Sequence, residues 1–326
     1  VTTASLAVTL GQAGVDMVFA DDMASVKVSR RLFISTTSCL VAQVILSRQD
    51  FARAALKELG AVAAALELSA EDDVKRSLAA EVGWLKGLWR FYTAFSVVTM
   101  LGTLHSMLVD EKSTVTRWMW EAGGGALRYS RLLLDFYTIL AFLTAYYRLL
   151  HLMLVLYRLS SALYWELGRR LRRPLVDLRW AVALQARLDA TWRSTRAMLG
   201  RLLPLYLVVP LLLPLFSSAE VVVFGLQAAD LVALATSPLI FVAFVPQCLA
   251  GQRLLDASTD LAQDAYFGPW LEESVPVRRI RLLIIEARPQ GVPVPGLNGL
   301  SRPTCLNAMR KWFQYVQVLL NFDSSL

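Results

Sequence analysis

Long apolar runs decide what this chain can become. Leu202–Leu226 holds one charged residue, Glu220, in 25 positions, and Leu231–Leu249 holds none. Leu132–Leu156 holds two, Asp135 and Arg148. Each run is near or above the roughly 20 residues a helix needs to cross a hydrocarbon core of about 30 Å. Three such runs are hard to hide in a soluble fold. The chain is 56% hydrophobic and 18% charged, against roughly 25% charged in an average soluble domain. The expected fold is all-α, a polytopic membrane protein.

Weaker segments complete the expected set of spans. Leu6–Phe19, broken by two glycines and Asp16, reads as the remainder of a first span. Because the chain starts at Val1, that span is expected to be truncated. Leu32–Leu46 is a short second span with an interior STTS, tilted or partly facing a lumen. Gln49–Ala80 is amphipathic, with a stripe of Phe51, Ala55 and Leu59 and an N-cap for the next helix at Ser69. Trp84–Val109 is a third span whose Lys86 and Arg90 can snorkel, and Asp110–Arg131 a polar, glycine-rich loop. The fourth span, Leu132–Tyr157, runs on into RLSSALYWELGRRLRRPL. The fifth, Leu202–Leu226, contains Pro204, Pro210 and Pro214, and the sixth, Leu231–Leu249, contains Pro238 and Pro246. Neighbouring helices can satisfy the carbonyls those prolines free. A short amphipathic helix is expected over Arg278–Arg288, then the breaker-rich PQGVPVPGLNGLSRP. A last helix starts at Pro303 and runs to Phe322.

Arginines orient the spans. Ten lie between Tyr157 and Leu202 and none between Ser217 and Asp230. Arg253, Arg278, Arg279, Arg281 and Arg288 follow the sixth span, and DSSL at the end has none. Under the positive-inside rule the arginine-rich segments are cytoplasmic and the C-terminus is outside. Seven spans then place the N-terminus inside. Lys27, Arg30 and Arg31 run against this scheme. The arginine stretch sits between two spans and keeps helical spacing, which argues for a helical extension facing lipid or acidic loops and against nucleic acid.

Enzyme chemistry has no residues to rest on. His105 and His151 stand alone, and no GxGxxG, P-loop, GxSxG or paired-cysteine metal motif occurs. Cys39, Cys248 and Cys305 have neither a pairing framework nor metal-ligand spacing. No catalytic residue, metal or cofactor is expected.

The stretch CLAGQRLLDASTDLAQDAYFGPW, Cys248–Trp270, leaves the sixth span without a break. Its spacing of Cys248, Gly251, Ser258, Leu261, Ala265-Tyr266 and Trp270 resembles the pattern after the sixth span of insect odorant receptors. RRIRLLIIEARPQGVPV is similar to that family's short cytoplasmic helix and its Arg-x-Gln-type turn. GLNGLSRPTCLNAMRKWFQYVQVLL is similar to its last helix, with Phe313 and Tyr315 as the aromatic pair. The ending QYVQVLLNF is also close to the signature of the related gustatory receptors, with Gln314 in place of its Thr and Asn321 in place of its Gln. The resemblance covers about the last 80 residues well. Upstream it rests on hydropathy and on looser patterns such as SRQDFARAALKEL.

The resemblance implies a seven-transmembrane, ligand-gated, non-selective cation channel of four subunits. Residues 1–247 would form the ligand-binding bundle, and 248–326 the cytoplasmic anchor region and the pore-lining seventh helix. Cys248, Gly251, Leu261, Tyr266 and Trp270 would serve the anchor and assembly. In this reading Leu254, Leu255, Leu261 and Tyr266 pack inward, while Asp256, Asp260 and Asp264 face water. Gln314, Val318 and Asn321-Phe322 share one helical face. By position Val318 and Phe322 match the family's hydrophobic gate and Asn321 its polar neighbour; Phe322 is bulky for that place. Arg310 and Lys311 are awkward for a cation path.

The implied pocket for a small volatile lies between spans two, three, four and six. There the chain offers Phe33, Thr36, Thr37, Phe95, Met100, Phe136, Tyr137, Phe142, Leu234 and Ser237. None is charged, which favours a neutral ligand. The implied partners are that ligand, odorant co-receptor subunits in a heterotetramer, and the lipid bilayer of a sensory neuron's plasma membrane. Two rivals remain. One is a gustatory receptor channel for a sugar or other tastant, which calls for more polar residues in the pocket. The other is a seven-span transporter, which usually shows an internal repeat or intramembrane carboxylates. No repeat is present, and Asp135 is the one candidate carboxylate.

Overall fold

The structure is a computed structural model and describes residues 23–67, 72–109, 125–173, 177–228 and 231–323, with isolated positions between 10 and 18. Every extended element among the described residues is helical. In chain order α1 is Met23–Ser47, α2 Gln49–Glu67, α3 Asp72–Val109, α4 Gly125–Leu171 and α5 Leu178–Leu199. Then come α6 Leu203–Ala228, the short α7 Leu231–Thr236, α8 Val245–Tyr266, α9 Val275–Ile285 and α10 Arg302–Asp323. The remnant first span and the Ser69 cap lie largely or wholly outside the described residues.

α4 is the spine: α8, α3, α1, α2 and α5 pack against it. Its 47 residues make a rod about 70 Å long at 1.5 Å per residue. That is more than twice the thickness of a hydrocarbon core, so a span and its extension form one continuous helix. Elsewhere spans and extensions are joined end to end through short irregular turns, at Gly200–Leu202 and at 237–244. Residues 178–222 join the arginine-rich segment to the fifth span, and 233–266 join the sixth span to the motif segment. Those two stretches are long and apolar enough to cross a membrane, and Phe33–Ser47 is a shorter apolar helix. The loop expected over 110–131 is cut short, because α4 already begins at Gly125.

Prolines interrupt the apolar helices and hydroxyls repair them. A proline has no N–H, so the carbonyl four residues earlier loses its helical donor. Pro246 orphans the carbonyl of Val242, and the Tyr92 hydroxyl on α3 donates to it at 3.0 Å. Pro238 orphans Leu234, whose carbonyl accepts from Ser237 Oγ at 3.1 Å. Pro210 orphans Tyr206; Ser38 Oγ of α1 lies 3.5 Å from that carbonyl and donates to the neighbouring Leu205 carbonyl at 3.1 Å. A buried carbonyl without a donor would cost free energy comparable to a lost hydrogen bond. The sixth span is consequently not the single helix expected over Leu231–Leu249. α7 ends at Thr236, a turn follows at Ser237–Pro238, and a π-helical turn at Ile240–Phe244 leads into α8.

Small polar residues and caps fix the remaining joints. Thr36 and Ser38 of the STTS segment are buried in helix packing, and Thr37 Oγ1 donates to Phe33 within α1 at 2.8 Å. Ala55, Leu59, Val62 and Leu66 form the buried stripe of α2; Phe51, expected in that stripe, is 45% exposed. Asp177 caps α5 by accepting from the N–H groups of Arg179 and Trp180. At the other end of α5, Arg48 donates to the free carbonyls of Ala197 and Met198 at 3.1 Å each. Gly200 there has φ of 53° and ψ of −142°, a conformation open to glycine and strained for residues with a Cβ, and it ends the helix.

Candidate functional site

The Cys248–Trp270 motif is a dock for the end of the chain. Cys248 is fully buried, and its thiol lies beside that of Cys305 on α10. Gly251 lets the backbone before α10 approach, because a Cβ there would lie 2.5 Å from the Leu300 carbonyl oxygen. Gln252 Oε1 accepts from the Arg302 N–H at 3.1 Å, at the first turn of α10. Ser258 Oγ accepts from the Gln290 N–H at 2.8 Å, so it holds the RPQ turn in place. Val292, Val294 and Leu300 plug the connecting loop into the core. Spacing alone showed the motif, but not that each of these positions grips one feature of the loop and α10.

Arg281 closes the dock from α9. Only 1% exposed, it donates to the last carbonyl of α4, Leu171, at 3.2 Å and to Ala265 on α8 at 3.0 Å. Glu273 neutralises it through both carboxylate oxygens. Gly268 makes room, since a Cβ there would overlap the guanidinium. A buried charge needs this completeness, because the desolvation penalty is recovered only when every donor finds a partner. The short helix runs Val275–Ile285, three residues earlier than expected at each end.

Asp264 corrects an expectation. It is buried rather than facing water, because Gly168 on α4 leaves space for it and Arg172 Nε donates to it at 2.6 Å. Asp260 remains exposed. Partial burial and the charges of Asp264 and Asp256 raise its carboxyl above the usual range, against the pull of Arg172. Glu81 on α3 bridges Arg158 of α4 at 2.6 Å and Arg253 of α8 at 2.7 Å. Burial pushes Glu81 upward, but the two arginines prevail and hold it below its ordinary value. Asp189 on α5 accepts from Tyr164 at 2.9 Å and Gln290 at 3.2 Å. Burial raises it in spite of both bonds and of Arg193.

Leu261 is buried in this assembly, but Tyr266 is 62% exposed and Trp270 half-buried in the single chain. Trp270 Nε1 donates to the Tyr266 carbonyl. With Phe267, Leu271, Val275 and Leu283, all at least 60% exposed, they form an apolar surface at the end of α8 and along α9.

α10 divides cleanly by face. Thr304 and Cys305 are buried, and Ala308, Met309 and Trp312 pack on the core, with Trp312 edge-on to Phe241 at 5.9 Å. Asn307, Lys311, Gln314, Val318 and Asn321 are all exposed on the opposite side. Three of the four expected pore residues thus share an outward stripe. The helical backbone carries Phe322 next to it, but its side chain lies outside the described residues.

Of the expected pocket residues, Phe95 meets a tyrosine cluster. Tyr92 stacks on Tyr147 at 5.8 Å, Tyr146 meets Tyr147 edge-on at 5.3 Å and stacks on Tyr206 at 4.8 Å. Phe95 is edge-on to Tyr147 at 5.9 Å, and Met100 packs on the same core. Thr36 is buried; Phe33, Thr37, Leu234 and Ser237 are half-buried. Tyr137 is 42% exposed. The side chains of Phe136 and Phe142 lie outside the described residues. The sequence reading missed Tyr92, Tyr146, Tyr147 and Tyr206. The adjacent pair Tyr146-Tyr147 within a charge-poor run was the available signal. No group of three His, Cys, Asp or Glu among the described residues is placed to hold a metal.

No protein-family model and no curated protein matches this sequence. Solved structures do. The insect olfactory receptor OR5 from Machilis hrabei, in complex with eugenol, superposes with a TM-score of 0.75 at 13% identity, over 98% of this chain and 88% of that one. A second structure of the same receptor gives 0.74 at 11% identity, over 98% and 87%. At such identity the agreement is one of backbone, and it extends over nearly the whole chain. The chain has the all-α membrane fold of an insect olfactory receptor.

Proposed function

We propose that the chain is an odorant receptor subunit: a ligand-gated, non-selective cation channel in the plasma membrane of sensory neurons, opened by a small neutral volatile. Residues 1–247 form the ligand-binding bundle, and 248–326 the anchor and the pore helix. The observation that carries this reading is the outward stripe of α10. In a helix that crosses lipid, Gln314 and Asn321 turned away from their own core would meet hydrocarbon, where unsatisfied polar groups are costly. A helix lining a wet axis shared by several subunits gives them water instead. Val318 and Phe322 then form the constriction, which excludes ions because apolar walls expel water. The anchor's exposed apolar surface takes neighbouring subunits, among them odorant co-receptors in a heterotetramer. The ligand enters above the tyrosine cluster among Phe33, Thr36, Thr37, Phe95, Met100, Phe136, Tyr137, Phe142, Leu234 and Ser237. No charged side chain stands among these, which suits a neutral ligand. The fold likeness to a receptor solved with eugenol supports the ligand class.

The test is whole-cell current against a panel of volatiles, with and without an odorant co-receptor. Ligand-evoked cation current that requires this chain is the expected result. Val318→Ser and Phe322→Ser are expected to raise resting conductance without ligand, because a polar wall rewets the constriction. Val316→Ser, on the half-buried face, is expected to lower stability instead. Unaltered resting current in both gate variants at matched surface levels contradicts a pore on this helix.

A further inference from the structure

α10 carries two exposed cations side by side, Arg310 and Lys311, and their places on the helix differ. At 3.6 residues per turn, Lys311 lies about 20° around the axis from Val318, whereas Arg310 lies about 80° away on the other side. The exposed residues follow one another in steps of about 20° over about 160°, so the surface is two abutting arcs with no gap between them. Asn307, Lys311, Gln314, Val318 and Asn321 make one, with Lys311 midway between the axial directions of Val318 and Phe322. Leu306, Arg310, Phe313 and Gln317 make the other, Arg310 lying beside Asn321 at the boundary, with Leu306 68% and Phe313 53% exposed. An arc with two large exposed apolar side chains needs an apolar cover, and the charge of Arg310 within it suits a neighbouring subunit better than lipid. The arc of Asn307, Gln314 and Asn321 is polar apart from Val318, as a wetted wall is. Neither cation forms an ion pair with a carboxylate among the described residues.

We propose that Lys311 faces the conduction path and Arg310 the neighbouring subunit, so that each copy of this chain adds to the path a cation that throttles cation flux and weighs more heavily on divalent than on monovalent cations. This rests on the channel reading and adds to it a determinant of conductance and selectivity. Seven residues separate Lys311 from Val318, about 10 Å along the axis. That is comparable to the Debye length of about 8 Å at physiological salt, so the charge acts on ions approaching the constriction but leaves the constriction itself apolar. A potential of order one kT alters local cation concentration about threefold for a monovalent ion, and by the square of that for a divalent one. The lysine therefore weights conduction toward monovalent ions within a channel that still passes both. The lysine stem can lie along the wall while its ammonium stays in water.

Single-channel conductance and reversal potentials of Lys311→Gln, Lys311→Glu and Arg310→Gln test this, with Val318→Ser as reference. Lys311→Gln is expected to raise outward unit conductance by about threefold and shift the reversal potential toward greater divalent permeability, and Lys311→Glu to do more. Both effects should shrink at high ionic strength, which a merely structural defect would not do. Arg310→Gln should reduce the yield of assembled channels at unaltered unit conductance. If Val318→Ser leaks and the Lys311 variants keep wild-type conductance at low ionic strength, Lys311 is outside the path and the proposal fails alone. If Val318→Ser does not leak either, the pore assignment of α10 fails with it. If Arg310→Gln alters conductance and Lys311→Gln alters assembly, the two arcs are the wrong way round.

Discussion

Single positions in the anchor carry sharp energetic consequences, and glycines show it best. Gly251→Ala places a methyl group 2.5 Å from the Leu300 carbonyl oxygen, and backbone must move to admit it. A loss of about 1–3 kcal/mol is expected, read as a lower thermal midpoint in detergent and reduced surface expression. Gly60, within α2, has nothing within 4 Å of its added Cβ, so Gly60→Ala should gain up to about 1 kcal/mol. Equal effects at the two glycines would show that the Leu300 contact is not tight. The carboxylates separate by sign. Glu81 is held below its ordinary value, so its contribution is complete above the unfolded carboxylate range near pH 4.3 and fades as pH falls through the folded value. Glu81→Gln should lower stability by about 1–3 kcal/mol at neutral pH and flatten that acid-side slope. Asp189 is raised, so its slope is opposite: stability declines as pH rises from the unfolded value through the folded one. Asp189→Asn, which keeps an acceptor for Tyr164 and Gln290, should remove the decline. Thermal midpoints measured across pH decide both. None of these partners was legible in the sequence, because Glu81 and Arg158 lie 77 residues apart and only the fold brings them together.

At the scale of elements, local pattern and long-range repair had different fates. The last helix was expected over Pro303–Phe322 and runs Arg302–Asp323, because proline at its start and amphipathic spacing are local signals. Proline positions in the apolar helices were equally plain. What could not be read was which hydroxyl answers each orphaned carbonyl: Tyr92 serves Val242 from 150 residues away. The break of the sixth span into α7, a π-turn and α8 follows from that repair. α9 depends on one side chain in the same way. Arg281→Ala strands Glu273 and the carbonyls of Leu171 and Ala265 in a dry site. A cost of about 3–5 kcal/mol is expected, as for breaking any buried pair, with loss of the assembled oligomer in size-exclusion chromatography. Replacing Arg281 by Met together with Glu273→Gln removes both charges and should recover part of that loss. If the double variant is no better than Arg281→Ala, the guanidinium's backbone contacts matter more than its pairing with Glu273.

For the whole molecule, the fold class was legible because three apolar runs admit few alternatives, and backbone likeness to a solved receptor over 98% of the chain agrees. The fusion of spans with soluble extensions was only partly legible: hydropathy marks where a helix leaves lipid, not where it ends. α4 passes from an apolar run to Glu166, Arg169 and Arg170 without a break, since Leu163, Leu167 and Leu171 keep the buried side in register. That continuity makes the orientation testable. The end of α4, the turn after it and α5 together carry nine of the ten arginines between Tyr157 and Leu202, and moving such a segment outward would cost several kcal/mol against the cytoplasmic leaflet's negative surface potential, at about 1 kcal/mol per charge. The rod geometry then places the two ends of α10 on opposite sides, because its 22 residues reach about 33 Å, one hydrocarbon core. Its start is docked on α8 through Gly251, Gln252 and Cys248, so the proposed channel places its far end outside. An epitope tag after Leu326 is expected to bind antibody on intact cells, and one inserted beside Arg173 only after permeabilisation. Labelling of the Arg173 tag on intact cells, or of neither tag until detergent is added, would invert or abolish the arrangement on which a pore lined by α10 depends.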